Sequence, residues 1–232
     1  MTRSLNELVY EIIELYRANY KVTDSLDERL VATWIQSNRA LLLRESPETI
    51  RSIDPHVIQV LPQVELELVS AINVPTLDNS NKILRTVREI PSFINSKDNT
   101  PMIVRLYGSE LIGESFEPIP ATMAPYVGSG KFNNKIIYAF LHDKRLYFTS
   151  KSSIHRMLKY VTIEGVFSNP IEAYEFVHGD GSYDWDLEYP ISESLVTTMM
   201  DMIVKTKFNF VLYPPQDPAN NATDDLTNKP AR

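Results

Sequence analysis

Cysteine is absent from the 232 residues, which excludes disulfides, thiolate metal sites and a cysteine nucleophile. That fits a reducing compartment, or a particle put together in one. Glycine is scarce, at seven, and no glycine-rich phosphate loop is intact. The near match Gly128-Ser129-Gly130-Lys131 has Pro125 where the pattern needs its first glycine and Phe132 where it needs Ser or Thr. A glycine turn is the better reading. No stretch approaches the roughly 18 consecutive apolar residues of a membrane span. The N-terminal run MTRSLNELVYEII threads charges through its apolar residues and lacks the apolar centre of a signal peptide. Basic residues are outnumbered, 23 Lys and Arg against 30 Asp and Glu, for a formal charge of −7. A generic grip on nucleic-acid phosphates rests on clustered Lys and Arg, so this balance argues against one, although a local basic patch stays open. Together these absences predict an intracellular, soluble chain with no membrane partner.

What is present is ordinary globular patterning in an α+β order. The stretch 132–167 is the centre around which the rest is organised. Apolar runs at 136–141 and 146–148 flank the polar tip His142-Asp143-Lys144-Arg145, which predicts a β-hairpin over 136–149. With Asp143-Lys144 at the turn, Leu141 pairs with Leu146 and Phe140 with Tyr147. One face then carries Tyr138, Phe140 and Tyr147; the other carries Ile137, Ala139, Leu141, Leu146 and Phe148. Both faces are apolar, so the hairpin needs a cover on each side. A third run, 159–166, can extend the same sheet.

Ahead of it, Ser4-x-x-Glu7 is a capping box, followed by a stripe of Leu5, Leu8, Ile12, Leu15 and Tyr16. Ser25-x-x-Glu28 is a second box, before a stripe of Leu30, Trp34, Ile35, Leu41 and Leu42 that runs to about Arg44. A short link between two such helices predicts an antiparallel helical hairpin. Ser46-Pro47 ends the second helix, and Asp54-Pro55 opens a short one. Val64, Leu66 and Leu68 then alternate with Glu65 and Glu67, a half-buried strand with an acidic outer face. After a polar loop at 73–81 come strands near 83–87 and 102–107, and a loop or single helical turn at 121–130. Asn169-Pro170 opens a helical turn, a polar acidic loop follows, and Ser192 is the expected hydroxyl cap of a last helix to about Lys207. Its stripe is Leu195, Val196, Met199, Met202 and Ile203. The segment after Tyr213 is proline-rich with almost no apolar residue, too little to offset its own ordering entropy. The expected organisation is a helical module at 1–62, a β-rich body at 63–190, and a C-terminal helix with extended tail at 191–232 that packs with the first module.

No constellation of residues points to chemistry. Asp180, Asp184, Asp186 and Glu188 lie close in sequence and supply oxygen ligands in principle, but their spacing is not that of an EF-hand loop; a solvated turn is the plainer reading. His56, His142, His155 and His178 are scattered without metal-ligand spacing. Met199, Met200 and Met202 read as core or subunit contact. Asn221-Ala222-Thr223 matters as a glycosylation sequon only in a secreted chain. The expectation is therefore a non-enzyme with no catalytic, cofactor-binding or metal site.

The pieces TRSLNELVYEIIELYR, WIQSNRALLLRES, VIQVLPQVELELV and KILRTVREIP are similar to the ring-forming head-to-tail connector proteins of crAss-like short-tailed phages. FNNKIIYAFLHDKRLYFTSK, LKYVTIEGVFSNPIEA and YPISESLVTTMMDMIVK fit the same pattern, so the resemblance covers nearly the whole chain. More distantly, a helical hairpin before a β-rich body is similar to the tail tubular adaptors of other phages. The resemblance implies a virion protein, made in the bacterial host cytoplasm, that forms a homo-oligomeric ring of 12 subunits under the portal. It implies contacts with the portal protein and adjacent tail rings, and a channel enclosing DNA without reading its sequence. It implies no cofactor. The competing readings are another tail layer or assembly factor of the same phages, a non-viral α+β interaction module, and an enzyme built from the scattered His and Asp residues.

Overall fold

Two helices, α1 (Leu5–Tyr20) and α2 (Glu28–Glu45), open the chain in the computed structural model, which describes residues 3–20, 26–45, 53–71, 82–97, 99–108, 116–127, 136–150 and 157–208. The capping box at the start of α1 forms as its spacing predicts: Ser4 N donates to Glu7 at 3.0 Å, and Glu7 N donates to the Ser4 hydroxyl at 3.2 Å. At α2 the cap is Asp27, whose carboxylate accepts from Arg29 N at 2.9 Å. Ser25, expected in that role, lies outside the described residues. So do the Ser46-Pro47 break, the loop at 73–81, Gly128–Lys131, His155, the sequon at Asn221 and the tail after Tyr213.

Among the described residues seven strands follow: β1 (Gln59–Ser70), β2 (Lys82–Thr86), β3 (Ile103–Gly108), β4 (Phe116–Pro118), β5 (Ile137–His142), β6 (Arg145–Thr149) and β7 (Tyr160–Gly165). They form one sheet in the order β3-β7-β1-β2-β6-β5-β4, antiparallel throughout except for the β4–β5 pair. The two outer strands, β3 and β4, also lie against each other, so the sheet curls almost into a barrel. That leaves little free edge for stray pairing. The expected hairpin is β5–β6, with Leu141 opposite Leu146 and Phe140 opposite Tyr147. The strand at 159–166 does join this sheet, but with β1 and β2 between it and the hairpin.

β1 is longer than its alternation suggested and holds Pro62 in its interior, flanked by pairing on both sides. A proline has no amide to donate, so an inner strand tolerates it only at a bulge. The register to β7 shifts between Leu61 and Val64, and Gln63 has a positive φ of 51°. The bulge shifts the parity of the strand, so that Leu61 and then Val64 and Leu66 are buried; Leu68, expected on the same inner face, is exposed.

Both hairpin faces are covered. Ile137, Ala139, Leu146 and Phe148 join Leu61, Val64, Ile163 and Phe167 in the main core. That core is closed by α3 (Pro170–His178), capped by the Asn169 carboxamide accepting from Ile171 N at 3.1 Å. On the opposite face Phe140 and Tyr147 pack with Ala71, Ile83 and Ala124, the last from the 3-10 turn after Ala121. Burying each such aromatic stabilises the fold by about 1.5–3 kcal/mol.

A separate apolar cluster unites α1 and α2 with Tyr189, Ile191 and α4 (Glu193–Ile203), which runs on into a π turn at Val204–Phe208. Leu5, Leu8, Ile12 and Ile35 are fully buried there, while Trp34 and Leu42 are only partly buried. Leu15, Leu30 and Leu41, expected in the stripes, are exposed. The buried row of α2 is Val31, Ile35, Arg39 and Leu43, rotated from the expected one because α4 and the sheet, not α1 alone, define its inner side. Ser192 occupies the cap position of α4, but its hydroxyl pairs with the Ser194 hydroxyl at 2.9 Å and caps no amide.

Candidate functional site

The fold converges on one charged side chain. Arg39 sits on the four-residue row Val31, Ile35, Arg39, Leu43 and is fully buried. Its Nε donates to Pro190 O at 2.6 Å and its Nη1 to Phe167 O at 2.9 Å. Its guanidinium carbon lies 5.8 Å from the Tyr189 ring centre. One side chain of α2 thereby ties the exit of β7 to the segment entering α4. Burial pushes its pKa down, yet a guanidinium starts so high that it stays charged near neutrality. The phenols beside it are displaced the other way: burial raises Tyr189, and raises Tyr183 to about 12 against the opposing pull of Arg39. The sequence did hold a signal for this node. An arginine at four-residue spacing from Ile35 and Leu43 stands inside an apolar row, but that row was visible only once the buried side of α2 was known.

The acidic loop is a strap and not a cluster. Asn6 N donates to Trp185 O at 3.0 Å, the Asn6 carboxamide to Asp186 Oδ1 at 2.9 Å, and Tyr189 N to Arg3 O at 2.9 Å. Asp184 Oδ1 accepts from Asp186 N at 3.1 Å, and Asp180 is exposed. Glu188 pairs with His56 Nδ1 at 3.2 Å. Among the described residues, no three His, Asp or Glu side chains gather where a metal ion would bridge them. His142 lies 3.5 Å from Asp143, and His178 stacks on Tyr174 with ring centres 4.0 Å apart. These contacts organise the surface of the chain and, among the described residues, bring no nucleophile to a base.

Several large apolar side chains are exposed. Tyr126 is 80% exposed and Tyr10 65%; Met123, Met157 and Leu41 also face outward. Tyrosines are amphipathic and well suited to protein contacts. Among the described residues no helix is long and apolar enough to cross a membrane.

Two comparisons with known proteins bear on the role of this fold. The model of the family described as phage tail ring protein 2 matches residues 7–226. The chain is also 26% identical over 229 residues to Ring protein 2 of Bacteroides phage crAss001, covering 95% of this chain and 97% of that one.

Proposed function

Because the chain belongs to the phage tail ring protein 2 family, we propose that it forms a closed ring in the head-to-tail connector beneath the portal, enclosing part of the channel through which DNA leaves. It is a bacteriophage tail structural protein and not an enzyme. The observation that carries the proposal is the extent of the likeness, which runs through helices, sheet and C-terminal helix alike. The ring has 12 copies, one face on the portal protein and the other on adjacent tail rings. Closure needs heterologous contacts, in which one patch meets a different patch on the next copy. The outward Tyr10, Met123 and Tyr126 suit such contacts. A charge of −7 suits a channel wall that lets DNA slide without gripping phosphates.

Within the subunit, the division is a helical module at 1–62, a β-rich body at 63–190, and a C-terminal part from 191 whose helix α4 packs with α1 and α2. The apolar cluster shared by α1, α2 and α4 supports that division. Nothing in this role requires a catalytic, cofactor-binding or metal site. The test is native mass spectrometry of the purified chain at high concentration, together with imaging of mature, DNA-filled particles. A 12-fold ring in contact with the portal is the expected result. A chain that stays monomeric with portal present, or that is missing from mature particles, overturns the proposal.

A further inference from the structure

The face of α2 that points away from the core carries Leu30, Thr33, Ser37, Leu41 and Arg44 at steps of three and four residues, all exposed. A solvent face is ordinarily charged or polar, yet here Leu30 is 45% exposed and Leu41 41%. The two hydroxyls are turned back on the helix: Thr33 donates to Arg29 O at 2.9 Å and Ser37 to Thr33 O at 2.8 Å. With those bonds made within α2, the face has little polarity left to offer water. Beside it opens a cleft of about 370 Å³, walled by Ser37, Ala40, Leu41 and Arg44 on one side and by Phe93 and Asn95 on the other. Among the described residues the only charge on that wall is Arg44.

The outer face of α1 is its complement. Tyr10 is 65% exposed, with Glu7 one turn before it and Glu14 one turn after it on the same side of the helix. Glu14 pairs with Arg17 and Glu11 with Arg3, whereas Glu7 and Arg44 enter no ion pair among the described residues. One Glu7 oxygen accepts from Ser4 N, and the other is left for a cation. Tyr126 is more exposed than Tyr10, but no carboxylate stands within four residues of it. Tyr10 to Glu7 is a step of three residues, and so is Leu41 to Arg44. Two helices running antiparallel therefore bring the phenol ring onto Leu41 and the carboxylate onto the guanidinium together. We propose that Tyr10 of one copy enters the α2 cleft of the next copy, with Glu7 on Arg44. Knob and cleft are different patches, the kind of contact that a closed ring repeats. The inference rests on the ring reading above and names its side-to-side surface.

The experiment is disulfide cross-linking of the full-length chain under the conditions of ring assembly. The sequence has no cysteine, so introduced thiols are the only ones. In the antiparallel register Glu14 falls opposite Ser37, within the roughly 4.4–6.8 Å between Cα atoms that a disulfide spans. Glu14→Cys chains mixed with Ser37→Cys chains should give covalent dimers, and neither variant should do so alone. A chain carrying both substitutions should give a ladder of multimers. Arg44→Cys, seven residues from Ser37 and so about 10 Å along the helix, should not bond to Glu14→Cys. Tyr10→Ala should leave the Tm of the free subunit unchanged and weaken association about 30-fold per contact, with Tyr10→Phe close to the parent. Absence of mixed dimers, Glu14→Cys bonding to itself, or Tyr10→Ala associating like the parent overturns the proposal. Ser37→Cys bonding to Gln216→Cys in place of Glu14→Cys overturns it too, and assigns the cleft to the C-terminal segment. Ring formation by the parent is measured separately. A parent ring without mixed dimers ends this contact and leaves the ring standing, and mixed dimers without a closed ring do the reverse.

Discussion

The turn between β5 and β6 gives the sharpest quantitative test of the fold. His142 pairs with Arg145, so the loop has two residues. Both have left-handed backbone, Asp143 at φ 47° and Lys144 at φ 57°. This is the type I′ arrangement, whose twist matches the flanking strands and which favours Asn-Gly. Lys144 cannot relax out of it freely, because its carbonyl accepts from Ile90 N at 2.7 Å. An L-residue held in this region costs about 1–2 kcal/mol. Glycine removes that strain but loses about 0.5–1 kcal/mol more backbone entropy on folding. Lys144→Gly should therefore stabilise by about 0.5–1 kcal/mol, or about 1–4 °C in Tm for a chain of this size. Lys144→Val, β-branched where φ is positive, should be destabilising. Urea denaturation is the assay: the midpoint should rise for the glycine variant at unchanged slope. If Lys144→Gly loses stability while Lys144→Val is tolerated, the turn is not left-handed and the register built on it is wrong.

Ile35→Ala should cost about 2–5 kcal/mol, whereas Trp34→Ala, at a half-buried ring edge-on to Phe208, should cost only about 1–2 kcal/mol; the reverse order in denaturation would mean that α2 is rotated. Gly165→Ala places a methyl 2.7 Å from the Phe93 ring and 3.1 Å from Met102 O, so a loss of about 1–3 kcal/mol is expected, and a neutral result by calorimetry would contradict that packing. Replacing Asp180, Asp184 and Asp186 together by Asn should leave Tm equally indifferent to calcium and to chelator; a calcium-dependent rise in the parent, lost in the variant, would reveal a bound ion. Deleting residues from Gln216 onward should leave the Tm of the free subunit unchanged and lower the yield of tailed particles, since a weakened interface between subunits is repeated at every junction of a ring. Normal tailed particles would show the segment to be dispensable, and a collapsed Tm would show that it packs within its own subunit.

Features that depend on a few neighbouring residues were legible without coordinates. The Ser4–Glu7 box, the Asn169 and Asp54 caps, and the pairing of Leu141 with Leu146 each follow from residues two to five positions apart. Backbone geometry alone links such neighbours, so pattern and structure coincide. The need for a cover on both hairpin faces was legible as well, because alternate positions all carried apolar side chains. What covers them was not, since Leu61 and Val64 on one face and Ala71 and Ile83 on the other come from distant parts of the chain. Pro62 in an inner strand shows the same limit: its bulge is set by pairing with β7, about a hundred residues later. Periodicity found the helices and the buried Leu5, Leu8, Ile12, Ile35, Val196, Met199 and Ile203, yet placed Leu15, Leu30 and Leu41 inward, because a stripe on an amphipathic helix is broad and the partner chooses its centre. Arg39 marks the boundary most clearly. Charge and position alone would put it in solvent, and only carbonyls 128 and 151 residues away, brought to its Nη1 and Nε by the tertiary fold, make its burial possible.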